Sequence, residues 1–326
     1  MDALMVSRAE AGQKILNFLQ RRIDAATGEF HKWIRSGQVR RNGGRVKAFD
    51  RVEEGDAIRV PPFALLKQSG QSNTPDGAAS PQREKRAPRS SSPASPRSSF
   101  RLVTVYEDED LLILHKPAGL PAQGGTGHAE SVVSLLAEKY RDADFMPAPA
   151  HRLDRDTSGL LVVGKSYAAL RRLSDALALR SSDAPHKEYL AWVWGKWSQR
   201  GESELYDLME KDEAAGRMVC GRGKEARALA RPLLHRRIHG HDATLMLVTL
   251  LTGRTHQIRV QLSSRGFPLI GDPRYGLRDG EKLKLHAFRL TLEHCGESME
   301  FSCLPDWKED FDIQDAGLRP TPRRRG

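Results

Sequence analysis

Between residues 67 and 99 the sequence loses the means to build a core. The stretch reads KQSGQSNTPDGAASPQREKRAPRSSSPASPRSS, in which Ser, Pro, Gly and basic residues dominate. So few apolar side chains cannot bury enough surface to offset the entropy of ordering the backbone. One continuous core is therefore excluded. Two folded units are expected instead, at 1–66 and 100–310, joined by a flexible basic linker over 67–99. The chain closes on PTPRRRG, and 311–326 is expected to be a similar basic tail.

The remaining sequence suits burial. The chain has 326 residues, 39% of them hydrophobic and 29% charged, enough for a sizeable core in at least one unit. No apolar run approaches the roughly 18 residues of a membrane span. The opening MDALMVSRAEAGQ lacks the basic-then-apolar order of a secretory signal. A cytoplasmic protein with no membrane partner is expected. Its three cysteines, Cys220, Cys295 and Cys303, form no CxxC pair, and its eleven histidines show no HExxH spacing. These patterns predict no disulfide framework, no metal and no cofactor. The net charge of +10 favours a polyanionic partner, because each phosphate contact releases condensed counterions.

Within the first unit, Ile15, Leu19 and Ile23 are spaced for one face of a helix over 11–23. A second helical pattern runs through Phe30, Trp33 and Ile34 to Gly37. In VRRNGGRV, residues 39–46, Asn42-Gly43-Gly44 signals a tight turn between short strands, and GDAIRVP, residues 55–61, reads as a closing strand. Basic residues crowd this unit: Arg21, Arg22, Lys32, Arg35, Arg40, Arg41 and Arg45.

After the linker, β-type runs occur at 102–106, 111–114, 160–163, 189–194, 245–250 and 258–260, with helical spacing at 131–140 and 167–179. Strands and helices without strict βαβ alternation predict an α+β domain with a largely antiparallel, mixed sheet and flanking helices.

Four segments concentrate polar chemistry. HRLDRDTSG, residues 151–159, sets Arg152, Asp154, Arg155 and Asp156 just before an apolar strand, where a rigid scaffold can hold a functional loop. LLTGRTHQIRVQ, residues 250–261, supplies Arg254, His256, Gln257 and Arg259. HKPAGLPAQGGTGH, residues 115–128, is Gly-rich without P-loop spacing. In HKEYLAWVWG, residues 186–195, Lys187 and Tyr189 share one face of a strand.

Two resemblances gather these observations. Residues 5–62 resemble the small RNA-binding domain of small-subunit ribosomal protein four, which folds as two helices and a hairpin. That resemblance makes Arg35, Arg40, Arg41 and Arg45 candidate RNA contacts. Residues 102–290 resemble the RluA-type pseudouridine synthases. HRLDRDTSG matches that family's signature, and HKPAGL, KEY, GRTHQIR, GDPRYG and LKLHA follow its other blocks in order. The combination resembles the branch acting on large-subunit ribosomal RNA. At position 261 the family usually has His, whereas this chain has Gln261.

The resemblance implies an isomerase that breaks the bond between uracil and ribose, turns the base and rejoins it through carbon-5. It implies Asp154 as catalytic carboxylate, as nucleophile or as base, with Arg254 as its ion-pair partner keeping it ionised. It sets Tyr189 against the uracil, Leu285 as the floor of the pocket, and Arg152 in the space left by the flipped nucleotide. Lys187, His256 and Gln257 complete the candidate substrate contacts. Asp156 and Asp272 are expected to shape turns, and His151 and His256 to act as structural donors. One chain is expected to carry a whole site as a monomer. A binding protein without chemistry and a hydrolytic N-glycosidase are the competing classes. The intact set of Asp154, Tyr189 and Arg254 speaks against the first, and free uracil as product would identify the second.

Overall fold

The computed structural model describes residues 3–23, 25–66, 100–124, 130–178 and 186–320. The expected linker at 67–99, the end of the tail at 321–326 and the glycine-rich stretch 125–128 lie outside the described residues. The chain divides into two compact units, one formed mainly by residues before Phe100 and one mainly by residues from Phe100 onward.

The first unit contains β1 (Ala3–Met5), α1 (Ile15–Arg22), α2 (Thr27–Arg35), β2 (Arg40–Arg41), β3 (Gly44–Arg45), β4 (Ala57–Arg59) and α3 (Pro62–Leu66). The strands form one sheet in the order β1-β4-β2-β3. Each long helix buries the stripe its spacing announces: Ile15, Phe18 and Leu19 on α1, Phe30, Trp33 and Ile34 on α2. Between β2 and β3, Asn42 and Gly43 both have positive φ, +50° and +82°, as a two-residue hairpin turn requires. The Asn42 amide ties this turn to β4, donating to Asp56 at 2.7 Å and accepting from the Ala57 N–H at 2.8 Å.

The second unit carries β5 (Val103–Glu107), β6 (Leu111–Lys116), α4 (Val132–Lys139), β7 (Ala148–Pro149), β8 (Ser158–Gly164), α5 (Tyr167–Ala178), β9 (His186–Trp194), β10 (Ser203–Asp212), β11 (Arg217–Cys220), β12 (Lys224–Ile238), β13 (His241–Leu250), α6 (Gln257–Ser264), β14 (Leu285–His294) and β15 (Glu297–Ser302). Its sheet runs β11-β10-β12-β13-β9-β14-β8-β6-β5, with β15 on β14 and β7 on β8. Among the described residues β14 and β8 form its one parallel pair. The sheet is thus mixed and largely antiparallel.

Helices cover both faces, because β6 and β8 are apolar on both. Leu112, Leu114, Leu161 and Val163 pack with Val132 and Leu136 of α4 and Ile258 and Leu262 of α6. Their neighbours Leu111, Ile113, Leu160 and Val162 pack with Leu173 and Leu177 of α5. This side-to-side alternation follows from the two-residue period of a strand.

Two expectations are corrected. Residues 258–260 belong to helix α6, not to a strand. Every residue from Gln257 to Leu262 is buried, so the apolar alternation of Ile258 and Val260 does not distinguish the two periods. The tail also begins later than 311. Phe311 and Ile313 are buried with Trp192 and Phe288, and the Trp192 indole N–H donates to the Phe311 carbonyl at 3.1 Å.

Candidate active site

The site begins where β8 meets β14. Ser158 and Gly159 pair with His286 and Ala287. Gly159 has φ +113°, and a Cβ on it would lie 2.3 Å from the Ala287 carbonyl oxygen. Only glycine permits that approach. It anchors the end of the loop 151–157 to the sheet. Beside it, Ser158 Oγ and His286 Nδ1 are 2.8 Å apart and buried.

A lysine fixes the loop from the other side. Lys116, fully buried at the end of β6, donates Nζ to the carbonyls of Pro117, Leu120 and Arg155 at 2.9, 2.8 and 2.9 Å. Burial pulls its pKa down to about 7, against the opposing charges of Asp156 and Asp154. Three carbonyl acceptors match the three donors of the ammonium form. The segments HKPAGL and HRLDRDTSG are therefore one structural unit.

Asp154 faces a cavity of about 820 Å³, also lined by Arg152, Lys187, Tyr189, Arg254, His256 and Leu285. Its partner is not the arginine expected. Arg259 Nη1 lies 3.0 Å from Asp154 Oδ2, whereas the Arg254 Nε donates to the Glu225 carbonyl at 2.8 Å. The correction follows from α6. Arg254 precedes the helix, and Arg259, on its first turn, is carried toward the carboxylate. His256 Nε2 stands 3.7 Å from the same oxygen. Burial lowers the His256 pKa, with Asp154 pulling the other way.

Behind Arg259 is a second carboxylate. Asp272 Oδ2 accepts from Nε and Oδ1 from Nη2, each at 2.8 Å, and its side chain is fully buried. Burial opposes the charge of both groups. The paired hydrogen bonds and charges prevail, holding Asp272 below and Arg259 above their ordinary pKa values. Asp272 also accepts from the N–H groups of Arg274 and Tyr275 at 2.9 and 3.0 Å. The turn role expected of it is thus present, but it omits the larger one.

The other candidates divide. Tyr189 and Leu285 are buried in the wall, and burial together with Asp154 raises the Tyr189 phenol pKa. Lys187 donates to the Leu177 carbonyl at 2.9 Å, and burial lowers its pKa. Arg152 is exposed. Gln257 lines the cavity, and its amide is engaged within the protein. It accepts from Thr252 Oγ1 and the Arg254 N–H, and donates to the Arg227 carbonyl and Gln261. Gln261, the position that departs from the family pattern, is fully buried. It donates to the Leu205 and Ala226 carbonyls and to Asp207. Asp156 binds the Arg155 guanidinium at 2.9 and 3.0 Å rather than a local N–H. His151 is an acceptor, taking the Val162 N–H at 3.0 Å.

Elsewhere, His115, His286 and Cys303 each bring a possible metal-ligating atom within 4.8 Å of the others. Both nitrogens of His286 are engaged, with Ser158 Oγ and the Cys303 carbonyl, each at 2.8 Å. Burial pushes the Cys303 thiol up to about 12.

Residues 110–264 match the family model of RNA pseudouridylate synthases. The ribosomal large subunit pseudouridine synthase C of Haemophilus influenzae is 31% identical, over 93% of this chain and 91% of that protein. The chain belongs to the RluA-type family of RNA pseudouridine synthases. Its reaction class is therefore isomerisation of uridine in RNA. The synthases C of Yersinia pestis and Escherichia coli are each 32% identical, covering 92% and 89% of this chain and 90% and 88% of theirs. The fold is shared with human RNA pseudouridylate synthase domain containing 1. That structure superposes with a TM-score of 0.57 at 24% identity, over 72% of this chain and 94% of the human one. Lys116, Arg259 and Asp272 lay inside segments singled out in this sequence. Arg259 shares the motif GRTHQIR with Arg254, and local spacing does not tell which of the two reaches Asp154.

Proposed function

We propose that this synthase isomerises uridines of large-subunit ribosomal RNA, with Asp154 as the reacting carboxylate. The observation that carries this reading is the Asp154–Arg259 pair at 3.0 Å on a cavity walled by Tyr189 and Leu285. A carboxylate held by a guanidinium stays available for attack or proton abstraction. A planar apolar-and-phenol wall suits a uracil turned out of its stack. Flipping a base costs a few kcal/mol, least where it is unpaired, so loops and distorted helices are favoured targets. Arg152 fills the vacated space. Arg254, freed from the role of ion-pair partner, suits a phosphate group. The names of the similar proteins point to the large subunit.

The first unit, with Arg35, Arg40, Arg41 and Arg45 on and beside its hairpin, is the recruiting module. Arg35 and Arg45 are exposed. Tethering it through 67–99 raises the effective concentration of the synthase at its RNA. The chain acts as a monomer in the cytoplasm.

The test uses transcripts of large-subunit, small-subunit and transfer RNA carrying tritium at carbon-5 of uridine. Release to water from large-subunit RNA, at a few mapped positions, is expected. Release confined to transfer RNA would overturn the substrate assignment.

A further inference from the structure

The candidate carboxylate is held by two basic side chains, and both are held in turn by one short loop, residues 271–276. That loop does not line the cavity.

Its construction is tight. Gly271 has φ +71°, and a Cβ there would meet the Lys282 carbonyl carbon at 2.3 Å. The Gly276 N–H closes the turn on the Asp272 carbonyl at 3.0 Å. Within it the Asp272 carboxylate is fixed by two N–H groups of its own turn. Its two oxygens take the Nε and Nη2 edge of Arg259. A guanidinium is planar, so a bidentate grip on one edge fixes the direction of the remaining nitrogen. That nitrogen, Nη1, is the one 3.0 Å from Asp154.

Three residues on, the Tyr275 hydroxyl lies 2.8 Å from His256 Nδ1 and accepts the Met218 N–H at 3.1 Å. When the phenol gives its own proton to Nδ1, the proton of the neutral imidazole sits on Nε2, the nitrogen facing Asp154. His256 has φ +54°, a backbone region sparsely used by residues with side chains. The Tyr275 ring also lies 5.2 Å from the Arg259 guanidinium carbon.

We propose that the 271–276 turn is a positioning device for the reaction, in which Asp272 aims Arg259 and Tyr275 aims His256 at the Asp154 carboxylate. Asp272 and Tyr275 touch no substrate and act through those two side chains. This rests on Asp154 being the reacting group.

The test is single-turnover tritium release by the full chain on large-subunit ribosomal RNA, as a function of enzyme concentration. Wild type is compared with Asp272→Asn, Tyr275→Phe, Arg259→Lys, the Asp272→Asn/Arg259→Lys double variant and Asp154→Ala. Asp272→Asn is expected to lower the saturating rate by about tenfold to hundredfold, with the half-saturating concentration within about twofold of wild type. Tyr275→Phe is expected to lower that rate by a few fold. The double variant should be no slower than Arg259→Lys alone, because an effect transmitted through Arg259 cannot be lost twice. A wild-type saturating rate in Asp272→Asn, or losses that multiply in the double variant, would overturn the proposal. Should Asp272→Asn fail to fold, Tyr275→Phe decides: a slowed saturating rate at unchanged half-saturation supports it, and a wild-type rate overturns it. Release by Asp154→Ala would instead remove the premise, an outcome read separately from the others.

Discussion

Arg259 Nη1 lies 3.0 Å from Asp154 Oδ2, while Arg254, five residues earlier, spends its Nε on the Glu225 carbonyl. The two arginines of one motif therefore respond differently to truncation. Arg259→Ala leaves Asp272 buried without its counter-charge, which costs roughly 3–5 kcal/mol, and releases Asp154 as well. Loss of tritium release together with a lowered Tm is expected. Arg254→Ala removes one hydrogen bond, worth about 1 kcal/mol, and should keep the wild-type Tm within a few degrees. An unchanged Tm in Arg259→Ala would contradict the pairing.

Gly159→Ala tests the junction of β8 and β14. The added Cβ would lie 2.3 Å from the Ala287 carbonyl oxygen, so one strand must move. Overpacking of this kind costs about 1–3 kcal/mol or more, and the movement is applied at the loop carrying Asp154. A lower urea midpoint and a larger loss of activity than of stability are expected. A neutral substitution would show that the junction yields.

Lys116→Met keeps the length of the side chain and removes its charge. The carbonyls of Pro117, Leu120 and Arg155 lose their common donor. Unsatisfied buried groups of this type cost about 1–3 kcal/mol. Hydrogen exchange should quicken at the Gly119 N–H, which donates to the Arg155 carbonyl at 3.0 Å. Unchanged protection there would contradict a tether between the two segments.

Acid should weaken the fold through His286. Burial lowers its pKa to about 3, against an ordinary value near 6.5. Between those values the unfolded chain binds a proton that the native chain refuses, so stability rises with pH across about 3–6.5 and levels off above. The loss at pH 5 relative to pH 7.5 is about 2 kcal/mol from this group. Urea midpoints at the two pH values, compared in wild type and His286→Gln, check it. An equal pH dependence in both proteins would contradict the assignment.

Much of this was legible because local signals agreed with one another. Asn42-Gly43 specified its hairpin, Ile15 and Leu19 their helix face, and the doubly apolar runs of β6 and β8 their burial between helix layers. β12 was not anticipated. Its inward positions Ala226, Ala228 and Ala230 are alanines, which carry little β preference. Asp154, Tyr189 and Leu285 were legible as a set through the family resemblance, and the structure brings them to one cavity. Arg259 was hidden because a fully buried helix shows no amphipathic stripe. Asp272 was hidden because its ion pair joins positions 259 and 272 through tertiary structure that local spacing does not encode.

The most direct test of the central claim sets wild type beside Asp154→Ala on large-subunit ribosomal RNA tritiated at carbon-5 of uridine. Tritium released to water by wild type alone, with pseudouridine in the digested RNA and no free uracil, is the predicted result. Equal release by Asp154→Ala, or uracil as the product, would contradict it.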